Sequence, residues 1–184
     1  RSKLPEKNCM KKPISLREHL VSHLKFLQDN PDKLSMHIES GRYRTTLANG
    51  YGMESISPVK FVIQDFTGDA DLIAFLLFQW IRVHQSELLA NLDKNKDAVK
   101  FEAEFIDNDK VDVMFELELT ERVIIQQQEH GVYNFSYPEE PQYQPASPAT
   151  DCELLDDQGN LLATWTSVET LNIVALEMPL AKKP

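Results

Sequence analysis

The chain has 184 residues, of which 42% are hydrophobic, and its formal net charge is −10. This length suits one domain with a substantial core, and the acidic balance argues against the basic stripe that nucleic-acid recognition requires. The longest apolar run, Leu72 to Val83, contains Gln79 and Arg82 and is too short to span a bilayer. The two cysteines, Cys9 and Cys152, do not predict a disulfide framework.

The first third of the chain predicts one helix and two strands. Arg1 to Cys9 has no apolar period and is expected to be disordered, as an upstream or vector-derived extension. Ser15 is predicted to begin a helix in capping-box spacing with Glu18, and Asn30-Pro31 to end it. One apolar stripe of this helix comprises Leu16, Leu20, Leu24 and Leu27. Strands are predicted from Leu34 to Ile38 and from Met53 to Asp65. Pro58 cannot donate a ladder hydrogen bond, so the second strand is expected to be an edge or to be bulged there. The segment between the strands, Arg42 to Tyr51, is weakly patterned and contains an Asn49-Gly50 turn.

The middle of the chain predicts the principal core helix and a long β-hairpin. Asp69 is expected to cap a helix from Ala70 to His84, followed by a polar loop from Ser86 to Asp97. Between Val99 and Ile125 apolar and acidic residues alternate about an Asp-Asn-Asp-Lys reversal, which predicts two strands with one buried and one wet, acidic face.

The last third predicts a short strand and a separate hairpin. A strand is predicted from Val132 to Tyr137, and a Pro-rich connector follows it. Cys152–Leu155 and Leu161–Trp165 flank an Asp-Asp-Gln-Gly-Asn turn and predict a second hairpin, while Thr170 to Met178 fits a strand or a short helix equally well.

Together these elements predict an α+β fold. We expect a mainly antiparallel sheet of four or five strands, two helices (Ser15 to Leu27 and Ala70 to His84) packed on one face, and a small C-terminal β-hairpin arm. The predicted organisation is a disordered extension at 1–9, the main domain at 10–137, the Pro-rich connector at 138–149, and the hairpin arm and tail at 150–184.

Catalytic and metal-binding interpretations are weaker than structural ones. His19 and His23 share a helix face but lack a third ligand nearby in sequence, so a solvated face is expected. Two acidic loops, around Asp93 to Asp97 and Asp107 to Asp109, lack the glycine that a calcium loop needs. Cys152 has no neighbouring histidine to activate it. Asp65, Asp69 and Asp71 could form a carboxylate cluster for acid–base catalysis or magnesium binding, but turn and capping chemistry accounts for Asp69 and Asp71. Only Asp65 is then left for such a cluster. Phosphate-loop, HExxH and GxSxG motifs are absent, so the sequence predicts a protein that is not an enzyme and has no cofactor.

Three segments, in this order and spacing, resemble the tail completion protein R family of contractile-tailed temperate phages. They are Met10-Lys-Lys-Pro-Ile-Ser-Leu-Arg; Ile63-Gln-Asp-Phe-Thr-Gly-Asp-Ala-Asp with Trp80-Ile-Arg and Leu88-Leu-Ala-Asn; and Phe101-Glu-Ala-Glu-Phe-Ile-Asp-Asn-Asp-Lys-Val-Asp with Leu117-Glu-Leu-Thr-Glu-Arg-Val. The resemblance covers Met10 to Gln126 and loosely reaches Trp165.

The resemblance implies a structural virion protein, similar to tail terminators, that caps the head-proximal end of a tail tube and prepares head–tail joining. It implies a hexameric ring, with tail tube, tail sheath and head–tail connector proteins as partners, in the virion tail of a phage or a related bacteriocin assembled in the host bacterial cytoplasm. It implies no sequence-specific nucleic-acid binding and no membrane. The alternative is a small acidic adaptor or binding protein with no tail role.

Two interaction surfaces are predicted on this basis. The wet face of the long hairpin carries Glu102, Glu104, Glu116 and Glu118, whose charges would select the docking partner. The arm carries Trp165, a residue type that often anchors interfaces. The arm either docks on a neighbouring subunit or the tube, or packs on its own main domain, and the sequence leaves both open.

Overall fold

A computed structural model of the chain describes residues 10–45, 51–91, 95–107, 109–138, 140, 148–167 and 169. The chain divides into two compact units, residues 1–138 and 139–184. The first contains α1 (Lys11–His23), α2 (Lys25–Asp29), β1 (Leu34–His37), β2 (Arg42–Thr45), β3 (Met53–Phe66), α3 (Ala70–His84), α4 (Glu87–Ala90), β4 (Lys100–Phe105), β5 (Val111–Gln127) and β6 (Tyr133–Ser136). The second contains β7 (Asp151–Leu155) and β8 (Leu161–Thr166). The predicted α+β class with a mainly antiparallel sheet is confirmed.

Strands β3 and β5 form the centre of a six-stranded sheet. They pair in one register from Met53 opposite Val123 to Ile63 opposite Val113, and a bulge follows. On the other edge of β3, β2 pairs as far as Ile56 and β1 begins at Lys60. Pro58 lies in the interval between those registers, where its missing N–H costs no ladder hydrogen bond, as the sequence predicted.

The sheet has six strands where four or five were predicted, because β2 falls in the weakly patterned segment from Arg42 to Tyr51. Its four residues, Arg42 to Thr45, are all exposed and include one aromatic side chain, Tyr43. A strand of this kind shows no buried face, so the period-two signal that predicts strands is weak. Strand β4 pairs with the first part of β5, and β6 pairs with the end of β5.

The core lies between one face of the sheet and helices α1 to α3. The helices contribute leucines of the predicted stripe and the apolar face of α3, and the sheet contributes alternate residues of β3 and β5. Fully buried members are Leu16, Leu20, Leu27, Val59, Phe61, Ile63, Ile73, Leu76, Leu77, Ile81 and Val113. Phe61 stacks on Phe115, with ring centroids 5.3 Å apart.

The predicted start of the first helix is wrong. The helix begins at Lys11, after Met10 in a left-handed conformation without a side-chain cap, and it continues through Ser15. The hydroxyl of Ser15 accepts a hydrogen bond from the indole N–H of Trp80 at 3.1 Å, so it serves helix packing and not the capping box. The backbone is extended at Leu24, which separates α1 from α2, and α2 ends before Asn30 as predicted.

Helix α3 matches its prediction in both bounds and cap. The Asp69 carboxylate accepts a hydrogen bond from the Asp71 N–H at 2.9 Å. The segment predicted as a polar loop contains α4, whose Leu88 is buried in the core. Several expectations fall outside the described residues: the extension at 1–9, the Asn49-Gly50 turn, most of the Pro-rich connector, and the segment from Thr170 to Met178.

Candidate interaction surfaces

The predicted long hairpin is formed by β4 and β5, but its apolar face is only half covered. Phe101 is the register partner of Phe115, and their rings are 6.2 Å apart. Phe115 is 2% exposed, whereas Phe101 is 66% and Phe105 81% exposed. The prediction of a buried face is therefore confirmed for β5 and wrong for β4. The physical reason is that the helices cover β1, β3 and β5, and the core cluster includes no β4 residue.

The four predicted glutamates lie on one face of the hairpin, opposite the core, but their surroundings differ. Glu116 lies 3.6 Å from the Lys60 ammonium, and Glu118 lies 3.5 Å from the Arg42 guanidinium. Glu102 and Glu104 are exposed and form no ion pair with any residue that the structure describes. These two charges are available to another molecule.

Glu104 also lies opposite a second carboxylate, whose Oδ1 accepts a hydrogen bond from the Asp65 N–H at 2.8 Å. Its register partner on β5 is Asp112, and like charges directly opposite each other destabilise a strand pair. A cation bound beside Glu104 would relieve that repulsion. Lys60, by contrast, already has anionic neighbours, and its hydrogen bond to Glu39 followed by the charges of Glu39 and Glu116 raises its pKa.

The opposite edge of the sheet carries the complementary charge. The side chains of Arg42 and Arg44 are 67% and 70% exposed and project from the same face as the glutamates, because their register partners are Ile56 and Glu54. Arg44 pairs with Glu54. Tyr43, between the arginines, is also largely exposed. This edge was not predicted, and its one local signal is the alternation Arg-Tyr-Arg-Thr.

An exposed aromatic patch lies where β6 joins β5. Its members are Tyr51, Tyr133 and Phe135, all of them exposed, whereas Ile124, the register partner of Ser136, lies on the opposite face of the sheet. The rings of Tyr51 and Tyr133 meet edge to face at 5.5 Å, and the charge and hydrogen bond of Tyr51 raise the pKa of Tyr133. The strand was predicted, but no role was assigned to its side chains. Contiguous exposed apolar side chains often mark contacts with other proteins.

The predicted arm forms as a hairpin. Strands β7 and β8 pair antiparallel, with Cys152 opposite Trp165 and Leu154 opposite Ala163. Trp165 is half-buried and Ala163 is buried, whereas Leu161 is exposed. The role of Trp165 in an interface stays a prediction.

The histidine pair is not on a solvated helix face, contrary to expectation. The His19 ring contacts α3, with its Nε2 3.0 Å from the Leu76 carbonyl oxygen, and the His23 ring is 4.3 Å away. Burial, followed by the charge of His23, lowers the pKa of His19 to about 4. The ring is therefore neutral at pH 7 and belongs to the packing between α1 and α3.

The other chemical candidates have structural partners. Asp65 has a positive φ of 53° at the β3 bulge, and its ion pair with Lys33 lowers its pKa. The Cys152 thiol donates to the Thr150 carbonyl at 3.4 Å. Among the described residues, no group of three or more histidine, cysteine, aspartate or glutamate side chains is placed to hold a metal ion. The two acidic loops include Asp93 and Asn108, which lie outside the described residues.

One depression of about 260 Å³ lies beside the start of β4. It is lined by Pro58, Leu88, Asp97, Ala98, Lys100, Glu116, Leu117 and Glu118. Two of its acidic side chains are paired, because Glu116 lies beside the Lys60 ammonium and Glu118 beside the Arg42 guanidinium. None of the helices in the described part is both long and apolar enough to cross a membrane.

In the described part of the chain, β2 and β4 have no strand on their outer sides, and such edges together with an exposed aromatic patch are typical of a protein that assembles with other proteins. The family model for the P2 phage tail completion protein R (GpR) matches residues 10–141, and the chain belongs to this family. It is also similar to tail completion protein R of Escherichia phage P2, at 29% identity over 156 residues, which cover 85% of this chain and 99% of that relative. No solved structure matches the chain. The family predicted from the three sequence segments is confirmed.

Proposed function

We propose that this protein completes the tail of a contractile-tailed phage as a structural component, capping the head-proximal end of the tail tube as a ring of identical subunits. The observation that carries the proposal is the similarity to tail completion protein R of Escherichia phage P2 over 85% of this chain and 99% of that relative. The cap stops tube polymerisation and prepares the tail for joining the head. Its partners are the tail tube, tail sheath and head–tail connector proteins, and a hexamer is the proposed ring. The same role would serve a phage-tail-like bacteriocin.

The physical requirement for a cap is asymmetry. A growing tube end offers edges and apolar patches that recruit the next ring, and a cap must match that end while offering no equivalent surface for further addition. Subunits related by rotation, with different surfaces in contact, meet this requirement if the rotation closes. The exposed patch around Tyr133 and Phe135 provides apolar area for contact with the tube, and the acidic face of the hairpin disfavours wrong stacking.

Deleting the gene tests the role directly. We expect overlong tails without heads in electron micrographs of lysates from a deleted strain, and tails of normal length with heads when the wild-type gene is supplied on a plasmid. Normal infectious particles from the deleted strain would contradict the proposal and would favour an adaptor without a tail role.

The acidic face provides a residue-level test. We expect Glu102→Lys/Glu104→Lys to reduce tail completion more than Glu116→Lys/Glu118→Lys, because the second pair of carboxylates is already bound by Lys60 and Arg42. Tail completion is measured by complementation of the deleted strain. Equal, wild-type levels of completion from both variants would exclude this face as an assembly surface.

The second unit is proposed to act as a docking arm. Its hairpin, with Trp165, binds the neighbouring subunit or the tube. Truncation after Tyr137 tests this: a folded product that no longer incorporates into tails supports a docking arm, while an insoluble product supports packing within the chain. Trp165→Ala in the full chain is the matched point variant, and it should fold normally and fail to incorporate.

A further inference from the structure

Two edges of the main sheet, β2 and β4, are open in the part of the chain that the structure describes, and the exposed side chains on them are opposite in charge. Strand β4 ends one side of the sheet and β2 lies on the far edge of β3, so β3 and β5 separate them. Among the described residues, neither strand pairs with a second strand on its outer side. Open edges recruit other strands through their unpaired N–H and C=O groups.

We infer that successive copies of this chain join by pairing the β4 edge of one copy with the β2 edge of the next. This inference rests on the proposed ring and names the contact that builds it. The occupant of each edge is a second copy, because the two edges of one chain supply opposite charges on the same face of the sheet: Glu102 and Glu104 on β4, Arg42 and Arg44 on β2.

One antiparallel register brings opposite charges together on one face of the extended sheet and aromatic side chains together on the other. It places Arg42 opposite Glu104, Tyr43 opposite Ala103, Arg44 opposite Glu102, and Thr45 opposite Phe101. On the core face, Tyr43 then lies diagonally between Phe101 and Phe105 and covers aromatic rings that are 66% and 81% exposed in the single chain. On the other face, Glu104 and Glu102 come opposite Arg42 and Arg44, each of which would then lie between this glutamate and the one it pairs with in its own chain, Glu118 or Glu54.

Strand directions agree with this arrangement. Every neighbouring pair along the path β2, β3, β5, β4 is antiparallel, so β2 and β4 of one chain run in opposite directions. A copy added without being turned over therefore presents its β2 antiparallel to β4 and keeps its helices on the same side. Because β2 lies beside the start of β3 and β4 beside the start of β5, successive copies are displaced along the strands, and a closed ring would have strands inclined to its axis.

The charges disfavour the symmetric alternative. If two copies paired β4 with β4 and placed Phe101 opposite Phe105, Glu102 of each copy would lie opposite Glu104 of the other. Pairing β2 with β2 would similarly bring the arginines together. Like charges directly opposite destabilise strand pairs, so the edges select the unlike contact that can continue around a ring.

A charge-exchange experiment tests the contact on the full-length chain. Glu102→Arg/Glu104→Arg makes both edges basic, and Arg42→Glu/Arg44→Glu makes both acidic. We expect each variant alone to associate at least about tenfold more weakly than the wild type in sedimentation velocity, since two attractive pairs become repulsive. An equimolar mixture should recover association, because each contact then joins a basic and an acidic edge. The variant with all four changes should recover it alone. If the wild type associates under these conditions, failure of both restorations by folded variants overturns the inference; if it is monomeric, the cysteine experiment below decides.

A cysteine pair tests the register without reversing charges, which matters because Arg42 and Arg44 also pair with Glu118 and Glu54 within the chain. In a Cys9→Ser/Cys152→Ser background, Tyr43→Cys with Ala103→Cys should form a ladder of disulfide-linked oligomers under mild oxidation. The matched control, Thr45→Cys with Phe105→Cys, places the thiols four residues out of register and should give none.

The oxidation is carried out both on the purified chain and on tails isolated from cells. If the chain is monomeric in free solution, the tails still show whether disulfide-linked oligomers form. A ladder in either sample supports the contact, and tails that contain the protein but give no ladder overturn it. If the protein is absent from tails, the proposed function fails, and the purified chain at high concentration then decides the contact by itself. Normal tail completion without a ladder would leave the proposed function standing and remove only the edge pairing.

Discussion

The paired strands β4 and β5 differ in how far their apolar side chains are covered. Phe115 and Phe101 are register partners on the same face of the sheet, but Phe115 is 2% exposed and Phe101 66%. The difference arises because helices α1 and α3 cover β3 and β5 and leave β4 uncovered. The covered strand β5 contributes to the core, whereas the uncovered strand β4 exposes aromatic side chains that another strand could cover. We therefore expect substitutions in the covered core to lower the free energy of unfolding, and substitutions on the uncovered edge to weaken assembly with little effect on that free energy.

The largest effect is expected in the covered part. Phe61→Ala removes a fully buried ring that stacks on Phe115, and truncation of a buried phenylalanine costs about 3–5 kcal/mol in the free energy of unfolding. Urea unfolding followed by tryptophan fluorescence measures the loss. A decrease below about 1 kcal/mol would show that the core is not as tightly packed there as described.

The second prediction concerns pH and the contact between α1 and α3. The pKa of His19 in the folded chain is about 4, below its ordinary value of 6.5, so the unfolded chain binds more protons between these values. Stability from this site is complete above pH 6.5 and is lost as the pH falls toward 4. The loss should be about 1–2 kcal/mol, allowing for solvent screening of the partly exposed ring. Urea midpoints at intervals of pH give the curve.

His19→Gln is the matched control for that curve, because glutamine keeps a donor and cannot be protonated. The variant should show a flatter dependence between pH 6.5 and 4. The ion pair of Asp65 with Lys33 does not interfere: the pKa of Asp65 is lowered from 3.8, so its contribution is lost only below that pH. An unchanged slope in the variant would assign the pH dependence to another group.

A third, smaller effect is expected at the start of the covering helix. Asp69→Ala removes the side-chain acceptor for the Asp71 N–H, and loss of such a cap typically costs about 1 kcal/mol. Asp69→Asn keeps the acceptor and should cost much less. Thermal unfolding of the two variants compares them, and equal losses would indicate that the charge at the helix N-terminus matters more than the hydrogen bond.

The smallest effect on stability is expected at the uncovered edge. Phe101→Ser/Phe105→Ser changes two side chains that are 66% and 81% exposed, and surface substitutions of this kind change the free energy of unfolding by about 0.5 kcal/mol or less. The urea midpoint should match the wild type while self-association weakens. A loss comparable to that of Phe61→Ala would mean that β4 belongs to the core.

Much of the fold could be predicted because several elements carry strong local signals. The apolar period and the Asp69 cap define α3, and the stripe of Leu16, Leu20, Leu24 and Leu27 is buried as expected. The start of α1 could not be predicted, since Ser15 has the chemistry of a cap but its hydroxyl is used by Trp80, which is distant in sequence. Such a contact depends on how two helices pack, and local spacing does not report it.

The candidate surfaces could be predicted only in part. The alternation around Glu102 and Glu104 gave the acidic face, but period two cannot tell a covered apolar face from an uncovered one, so Phe101 and Phe105 were expected to be buried. Strand β2 lacked any buried residue and was missed. The pairing of charge between the two edges required the sheet order, which one sequence does not contain.

Electron microscopy of tails made with an altered β4 edge tests whether this uncovered edge is required for assembly and not for folding. A gene-deleted strain is supplied with either the wild-type chain or Phe101→Ser/Phe105→Ser, produced at equal levels and with equal urea midpoints. We expect the altered chain to leave tails overlong and without heads although the chain itself is folded. Tails of wild-type length with heads attached would show that the uncovered β4 edge is not needed for tail completion.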